Sequence, residues 1–310
     1  MRYRSWLYVP GDSERKLGRA LDFGADVIVV DLDSSVASGA KQAARNIAAE
    51  WLVAHRSQVL EQAPLTRWVR INSLESRLWR DDLLAVMPGA PEGIILPQAV
   101  GPDAVRQIAA EIYELEQTHR LTPGSTKIIP VVGESARAAL SITSYADSGM
   151  PRLAGLAWGA EGLAAAIGAT RLNDPKGGWS ETFRYVRAQT LLTAHANGLI
   201  SIEAMHRDSE DLKGLRLAAK NARADGFTGM IAIHPAQVAE INAAFTPSDS
   251  ELEQARQIVA AFEDSPNDEA TPIDRRRVDA PKLKFAKQIL GSGPEPRGGD
   301  MPQMRILRTT

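Results

Sequence analysis

The sequence contains no cysteine. Disulfide bonds, thiolate metal ligands and a cysteine nucleophile are therefore excluded. No stretch approaches the roughly 20 apolar residues that a membrane-spanning helix needs. The opening stretch MRYRSWLYVPGDSERK also lacks the long apolar core and the small-residue cleavage site of a signal peptide. Together these absences predict a soluble cytoplasmic protein that has no membrane partner.

A strong charge of either sign is also missing. The 36 lysines and arginines nearly balance the 38 aspartates and glutamates, which gives a formal net charge of −2. This balance argues against nucleic acid or an anionic membrane as the main partner. The rest of the composition is ordinary, with 310 residues of which 44% are hydrophobic and 24% charged. Such a chain is long enough for one large α/β domain or two smaller ones.

Short apolar runs recur along the chain, and each is followed by a stretch with apolar residues at helical spacing. The eight runs are WLYVP, VIVVDLD, RWVRIN, GIILPQ, IIPVVGE, LAGLAWG, LISIEAM and MIAIHP. Their nearly continuous apolar character is typical of parallel strands that are covered on both faces. An open doubly wound sheet is one alternative, but no G-x-G-x-x-G follows the first strand. We therefore predict an α/β fold, a closed (β/α)8 TIM barrel.

The eighth strand–helix unit ends near AEINAAF, residues 239–245. We predict a barrel over residues 1–246 and a C-terminal helical extension over 247–290. Residues 291–310 are rich in glycine and proline, so we expect a disordered tail there. Within the extension, SELEQARQIVAAFED predicts a helix, SPNDEATPIDRRR a polar loop and APKLKFAKQIL a second, shorter helix.

Polar residues stand where the predicted strands end, which is where barrels of this kind carry their catalytic groups. These residues are Asp31, Asp33, Arg70, Asn72, Gln98, Glu134, Glu161 and His234. Several acids and one arginine on a single rim indicate a hard cation and a carboxylate-bearing substrate. The residues alone therefore predict a metal-assisted or acid–base enzyme that acts on a small anionic substrate.

Each candidate also has a structural alternative. Glu134 could complement the dipole of the helix that follows it. Asp33 could cap the next turn, and Arg70 could be a structural arginine that pairs with Asp31 or Asp33. We interpret His234 as a packing histidine rather than a base, because the proline behind it fixes a turn. The sequence alone leaves the first three alternatives open.

The opening RSWLYVPGDSERKLGRALDFGADVIVVDLDSSV resembles that of the citrate lyase β-subunit-like proteins of the HpcH/HpaI aldolase superfamily. Their pattern is R-S-x-L-F-V-P-G, then a strand ending D-L-E-D-S-V, then K-x-x-A-R, which here is residues 41–45. The stretches RIN, ILPQ, GES, WGAEGLAAAIGA, GFTGMIAIHPAQV and VDAPKLKFAKQIL follow in family order. The resemblance covers roughly residues 4–290. It implies the same barrel and a lid formed by the C-terminal extension.

The resemblance also implies a chemistry. Family members are Mg²⁺-dependent carbon–carbon lyases that cleave citryl, malyl or citramalyl thioesters of coenzyme A or an acyl carrier protein. The products are an acyl thioester and a 2-oxo acid. By resemblance, Arg70 holds the keto-acid oxygens, Glu134 binds the metal and Asp33 contacts the substrate. Asp279 matches an acid on a lid that comes from a neighbouring subunit, and the implied assembly is a homotrimer.

The sequence departs from the family pattern at the metal site. The family motif G-x-x-D-L supplies a second metal carboxylate, and Gly162 stands in its place here. The adjacent Glu161 is a candidate replacement ligand beside Glu134. The other departures are Asp33 and Ser34 in the D-L-E-D-S motif, Gln98 for the L-P-K lysine and Met230 for the G-F-x-G-K lysine. An alternative function is therefore a catalytically weakened paralogue that binds a thioester or keto acid without efficient lyase chemistry.

Overall fold

The computed structural model describes residues 3–56, 66–146, 149–175, 177–264, 270–273 and 276–292. The predicted disordered tail lies outside these residues from position 293 onward. The chain divides into two compact units, Met1–Phe245 and Thr246–Thr310. No helix in the described ranges is both long and apolar enough to cross a bilayer.

The first unit is built on a closed barrel of eight parallel strands in sequential order. The strands are β1 (Ser5–Pro10), β2 (Val27–Asp31), β3 (Thr66–Arg70), β4 (Gly93–Leu96), β5 (Lys127–Val132), β6 (Gly155–Trp158), β7 (Ile200–Glu203) and β8 (Gly229–Ala232). Strand β8 pairs with β1 and closes the ring. All eight apolar runs form strands, so the predicted barrel is confirmed.

Helices surround the barrel and connect its strands. In the first unit they are α1 (Glu14–Gly18), α2 (Lys41–Ala54), α3 (Trp79–Val86), α4 (Gly101–Thr118), α5 (Ala136–Leu140), α6 (Ala160–Ile167), α7 (Glu181–Ala196), α8 (Leu212–Asp225) and α9 (Pro235–Phe245). Short 3₁₀ helices lie at Ala20–Phe23, Ser38–Ala40, Leu74–Ser76, Met87–Gly89 and Ile142–Tyr145. The helices cover the outer face of the strands, which explains why the strands are apolar on both faces.

Side chains fill the inside of the barrel. Trp6 and Trp68 meet edge to face there, with ring centroids 5.2 Å apart. Gly93 leaves the room that this pair needs, because a Cβ at that position would lie 2.3 Å from the Trp68 ring. The barrel interior is thus a packed core rather than a channel. The space for a ligand therefore lies at the ends of the strands.

The register of the first three strands brings charged residues together. Pro10 of β1 lies opposite Asp31 of β2, and Asp31 lies opposite Arg70 of β3. Asp31 and Arg70 are the last residues of their strands, and both follow inward-facing residues at a spacing of two. The pairing places an acid and an arginine side by side at the carboxyl end of the barrel.

The second unit contains α10 (Asp249–Asp264), β9 (Ala270–Ile273), β10 (Arg276–Asp279) and α11 (Ala280–Ser292). Strands β9 and β10 form an antiparallel pair with Ile273 opposite Arg276. The predicted polar loop is therefore wrong for the described part of that segment. Its threonine and isoleucine and the valine that follows it favour strands, and the charged residues between them hid this preference. Asp279 ends β10, and its side chain lies outside the described part of the structure.

Candidate active site

Arg70 is held rigidly at the mouth of the barrel. Its Nε and Nη2 donate to the two oxygens of Asp31 at 2.7 and 3.0 Å. Its Nη2 also lies 3.6 Å from Asp33 and contacts the Ser34 hydroxyl. A paired, two-point contact with a carboxylate fixes the plane of the guanidinium. The alternative in which Arg70 pairs with Asp31 or Asp33 is therefore what the structure shows, and the pairing involves both residues.

Asp31 also organises the turn after β2. Its carboxylate accepts hydrogen bonds from the backbone N–H groups of Asp33 at 2.9 Å and Ser35 at 3.1 Å. The expectation that Asp33 caps this turn is wrong, because the aspartate two residues earlier is the one whose oxygens reach the free N–H groups. The Asp33 carboxylate thus remains available to a ligand beside Arg70.

The pKa of Asp33 is raised above its ordinary value. Burial is the main cause, and the nearby charge of Asp31 adds to it. The cations Arg70 and Lys41 act in the opposite direction without cancelling the effect. A carboxylate with a raised pKa is a better proton acceptor than an ordinary aspartate. Asp33 is therefore suited to proton transfer as well as to substrate contact.

Glu134 follows β5 and points towards the end of β4. Its Oε2 accepts a hydrogen bond of 2.6 Å from the backbone N–H of Gln98, which adopts a left-handed conformation with φ of 53°. The helix that follows is capped by Ser135, whose hydroxyl accepts from the Ala138 N–H at 3.2 Å. Glu134 makes no hydrogen bond to that helix among the described residues, and the side-chain cap is Ser135. The chain supplies a separate residue for that purpose.

The surroundings of Glu134 couple it to Arg70 and Asp33. Burial raises the pKa of the Glu134 carboxyl, while the Gln98 N–H and the Arg70 charge lower it. The Asp33 charge raises it further, and the net change is upward. The side chains from β2, β3 and β5 thus lie within electrostatic range of one another. The structure brings together three of the predicted site residues.

Tyr8 of β1 is a member of this cluster that the sequence analysis missed. The Arg70 guanidinium lies over its ring, 5.2 Å from the centroid. Burial raises the pKa of Tyr8 well above its ordinary value, although the Arg70 charge opposes this change. The alternation of side chains along β1 could have revealed it, since Trp6 points inward and Tyr8 is two residues further on.

Glu161 and Gly162 lie in the first turn of α6. The Oε1 of Glu161 is 3.3 Å from the Nε of Arg207, an ion-pair contact without hydrogen-bond geometry. A Cβ at position 162 would lie 2.9 Å from the Cβ of Glu134, and one at Gly159 would lie 2.6 Å from its Cγ. Glu134 therefore packs into a cradle formed by two glycines. The space that a side chain at position 162 would use is filled by Glu134.

Three other residues that the sequence analysis proposed for the site make different contacts. The backbone N–H and the Nδ2 of Asn72 both donate to buried Asp82 at 2.7 Å, so Asn72 is part of the core. His234 is exposed, and its Nδ1 accepts from the Ala236 N–H at 3.2 Å. The interpretation of His234 as a packing histidine is wrong, because Pro235 begins α9 and leaves the preceding residue at the surface. Gln98 contributes its backbone, and its side chain is exposed.

A cavity of about 410 Å³ opens beside β1 and β8. It is lined by Leu7, Tyr8, Val9, Pro10, Arg15, Lys16, Arg19, Phe23, Ile233, His234 and Pro235. Three of these residues, Arg15, Lys16 and Arg19, are exposed cations within five positions of one another. An apolar wall with a cationic rim suits a ligand that has an apolar body and anionic groups. No sequence pattern points to this cavity.

The cluster around Arg70 offers the oxygen ligands that Mg²⁺ prefers. Asp31, Asp33 and Glu134 around Arg70 carry a net charge of −2 when all are ionised, and this favours a divalent cation. No described residue donates a hydrogen bond to Oε1 of Glu134. The described residues contain no group of three or more potential side-chain ligands. Mg²⁺ is often held by one or two carboxylates with water and substrate, so the residues fit an ion bound through Glu134 and a ligand.

A parallel barrel with an arginine and carboxylates at the carboxyl ends of its strands is typical of enzymes that act on small anionic molecules. A profile of the HpcH/HpaI aldolase/citrate lyase family matches residues 4–235. The chain belongs to this family, and the resemblance read from its motifs is confirmed.

Individual relatives extend the match beyond the barrel. The chain is 32% identical over 285 residues to a citrate lyase subunit beta-like protein of Mycobacterium tuberculosis H37Rv, covering 92% of this chain and 93% of the relative. It is 29% identical to the mitochondrial citramalyl-CoA lyase of Mus musculus, covering 93% and 85%. The crystal structure of CitE from M. tuberculosis in complex with magnesium, acetoacetate and coenzyme A superposes with a TM-score of 0.75 at 30% identity, covering 94% of this chain and 98% of that one.

Proposed function

We propose that the protein is a carbon–carbon lyase that cleaves a 3-hydroxyacyl thioester of coenzyme A into an acyl thioester and a 2-oxo acid. The observation that carries this proposal is the cluster of Arg70, Asp33 and Glu134 at the mouth of the barrel. Membership of the family and the names of the relatives support it. Citryl, malyl and citramalyl groups are the substrates to be tested.

The residues take separate roles in the proposed reaction. Arg70 binds oxygens of the 2-oxo acid portion and adds fixed positive charge beside the alkoxide. Glu134 would hold Mg²⁺, and the ion would supply Lewis-acid polarisation of the substrate oxygen. Asp33 contacts the hydroxyl group of the substrate. The relative solved with magnesium and acetoacetate supports the metal and the oxo acid as ligands of one site.

The proposed cleavage breaks one carbon–carbon bond of the substrate. Asp33 accepts the proton of the β-hydroxyl group, and the bond between the α and β carbons breaks. The electron pair of that bond moves to the α carbon and forms a thioester enolate, while the hydroxyl oxygen becomes the oxo group. Asp279, assigned by resemblance alone, gives a proton to the α carbon. The thioester bond itself remains intact.

The cavity beside β1 supports coenzyme A rather than an acyl carrier protein as the carrier. Coenzyme A carries several phosphate charges and an adenine ring at the end of its pantetheine arm that lies opposite the thiol. Arg15, Lys16 and Arg19 provide cations for the phosphates. Phe23 and the apolar wall provide a surface for the adenine. An acyl carrier protein would present a folded partner and would use a broader surface.

A second candidate function is binding of the oxo acid or thioester with little cleavage. The cradle of Gly159 and Gly162 favours it, because Glu134 is the one carboxylate that this part of α6 and β5 presents to the cluster. Glu161 faces Arg207 instead. A metal held by one protein carboxylate is bound more weakly than one held by two.

The proposed function is tested by incubating the protein and Mg²⁺ with malyl-, citramalyl- and citryl-CoA and identifying the products by chromatography and mass spectrometry. The proposal predicts an acyl-CoA and a 2-oxo acid in equal amounts from at least one substrate. Free coenzyme A without an oxo acid would identify thioester hydrolysis and contradict the lyase. Binding of the same compounds without any product would favour the second candidate.

A further inference from the structure

Two hydrogen-bond donors at the mouth of the barrel have no partner among the described residues. Arg70 uses its Nε and Nη2 for Asp31 and for the turn that follows β2, and its Nη1 makes no hydrogen bond to a described residue. The hydroxyl of Tyr8 likewise has no hydrogen bond to any described residue. The two side chains that carry these donors are in contact, with the Arg70 guanidinium 5.2 Å from the centroid of the Tyr8 ring.

Charge alone does not explain how Arg70 would hold an anion. Its positive charge is already matched by Asp31, which it contacts at two points, and by Asp33 at 3.6 Å. Directed hydrogen bonds to an anion remain favourable even where the local charge is balanced. A neutral donor next to the guanidinium is useful here, because it adds a hydrogen bond to the ligand without changing the net charge of the cluster.

We propose that the Tyr8 hydroxyl and Arg70 Nη1 form a two-point binding site for the carboxylate of the 2-oxo acid, which makes Tyr8 a substrate-binding residue. A carboxylate has two oxygens, and the two unpaired donors can each serve one of them. The proposal rests on the proposed function for the identity of the oxo acid. It does not depend on cleavage of the thioester.

The surroundings of Tyr8 keep its phenol protonated and therefore able to donate. Burial and the charges of Asp31, Glu134 and Asp33 all raise its pKa. The ring packs against the apolar interior of the barrel, which fixes its position. The family pattern given above has phenylalanine at this place, so the hydroxyl is a feature of this chain.

The experiment compares the wild-type protein with Tyr8→Phe by titration calorimetry with pyruvate in the presence of Mg²⁺. The substitution removes the hydroxyl and keeps the ring under Arg70. We expect the dissociation constant for pyruvate to rise roughly tenfold, the effect of losing one hydrogen bond to a charged group. Acetate keeps the carboxylate and lacks the oxo group, so its affinity should fall by a similar factor. Tyr185→Phe is the matched control, because Tyr185 is exposed on α7.

Equal affinity of wild type and Tyr8→Phe for pyruvate would overturn the proposal. A loss seen with pyruvate and absent with acetate would overturn the assignment to the carboxylate. Absence of any pyruvate binding by wild type would also overturn it. If binding depends on Tyr8 while no thioester is cleaved, the proposed lyase function fails and the role of Tyr8 stands. An unchanged unfolding temperature of Tyr8→Phe excludes a structural cause.

Discussion

At the scale of single residues, the arrangement around Arg70 shows how one side chain can be both structural and functional. Asp31 accepts four hydrogen bonds, two from Arg70 and two from the backbone of the turn. It therefore cannot serve a ligand without giving up one of them. Its effect is to fix the plane of the Arg70 guanidinium through two contacts, which involve Nε and Nη2.

A first prediction concerns this orientation. Arg70→Lys keeps the charge but cannot make both contacts with Asp31. We expect kcat/KM for thioester cleavage to fall about 100-fold or more, as for other lost transition-state donors. Steady-state kinetics would measure it. Arg216→Lys on α8 is the control, because Arg216 is half exposed and pairs with Glu240 on the outer surface. Full activity of Arg70→Lys would show that two-point orientation is unimportant.

A second prediction concerns the glycine that replaces a family metal ligand. Gly162→Asp adds a carboxylate, but its Cβ would lie 2.9 Å from that of Glu134, so the backbone must shift. Gly162→Ala introduces the same crowding without the carboxylate and is the matched control. We expect Gly162→Asp to bind Mg²⁺ more tightly than Gly162→Ala by about 1–3 kcal/mol, the scale of one charge-assisted contact.

Metal titration of the two variants by calorimetry measures this difference. Comparison with wild type alone would mix the gain from the carboxylate with the cost of the crowding. If the two variants bind Mg²⁺ equally, position 162 does not face the metal. The metal site implied by the family resemblance would then be wrong at this position.

At the scale of elements, a buried acid ties α4 to the strands beside it. Glu116 of α4 pairs with Arg152 at 2.6 and 2.8 Å and accepts from the N–H groups of Gly124 and Thr126. These partners lie just before β5 and β6. The contacts hold the starts of two strands, and β5 is the strand that delivers Glu134 at its other end.

A third prediction follows from the titration of Glu116. Burial raises the pKa of this carboxyl, but the Arg152 and backbone hydrogen bonds outweigh it and the net pKa is lowered. Its stabilising effect is therefore present above the ordinary value of 4.5 and lost as the pH falls through the folded-state pKa. Glu116→Gln should lower the free energy of unfolding by about 3–5 kcal/mol at neutral pH, because it leaves Arg152 unpaired.

Denaturant unfolding across a pH series checks this prediction. The gap between wild type and Glu116→Gln should narrow in acid, where the wild-type side chain becomes neutral as well. Glu114→Gln on the exposed face of the same helix is the control. A gap that is constant with pH would mean that the ion pair is not what stabilises this contact.

The elements also show what the sequence can and cannot predict. The eight strands could be predicted because apolar runs report burial directly. The acids and the arginine of the site could be predicted because they stand where those runs end. Tyr8 was missed because an aromatic residue in a strand is expected to pack, and its ring does pack. The hairpin of β9 and β10 was missed because a run of charged residues at positions 274–277 separates its short β-branched stretches. The cavity beside β1 depends on how α1 packs, which no local pattern records.

At the scale of the whole molecule, the homotrimer remains a prediction. Its test also shows whether the second unit acts as a lid. The implied lid would carry Asp279 to a neighbouring subunit. We expect sedimentation velocity at micromolar concentration to give a trimer. Removing residues 270–310 and substituting Asp279→Asn should each reduce cleavage while leaving the barrel folded by circular dichroism. A monomer, or a truncated chain of normal activity, would contradict the lid.

The account as a whole depends on Glu134 acting at the reacting centre. The most direct test is kcat/KM for the best thioester substrate, measured at saturating Mg²⁺ for wild type, Glu134→Gln and the neighbouring control Glu161→Gln. Glu161 is a suitable control because it lies in the first turn of α6 and its carboxylate contacts Arg207 at 3.3 Å. The account predicts a loss of about 100-fold or more for Glu134→Gln and little change for Glu161→Gln. Equal activity of Glu134→Gln and wild type, or a larger loss at Glu161, would contradict it.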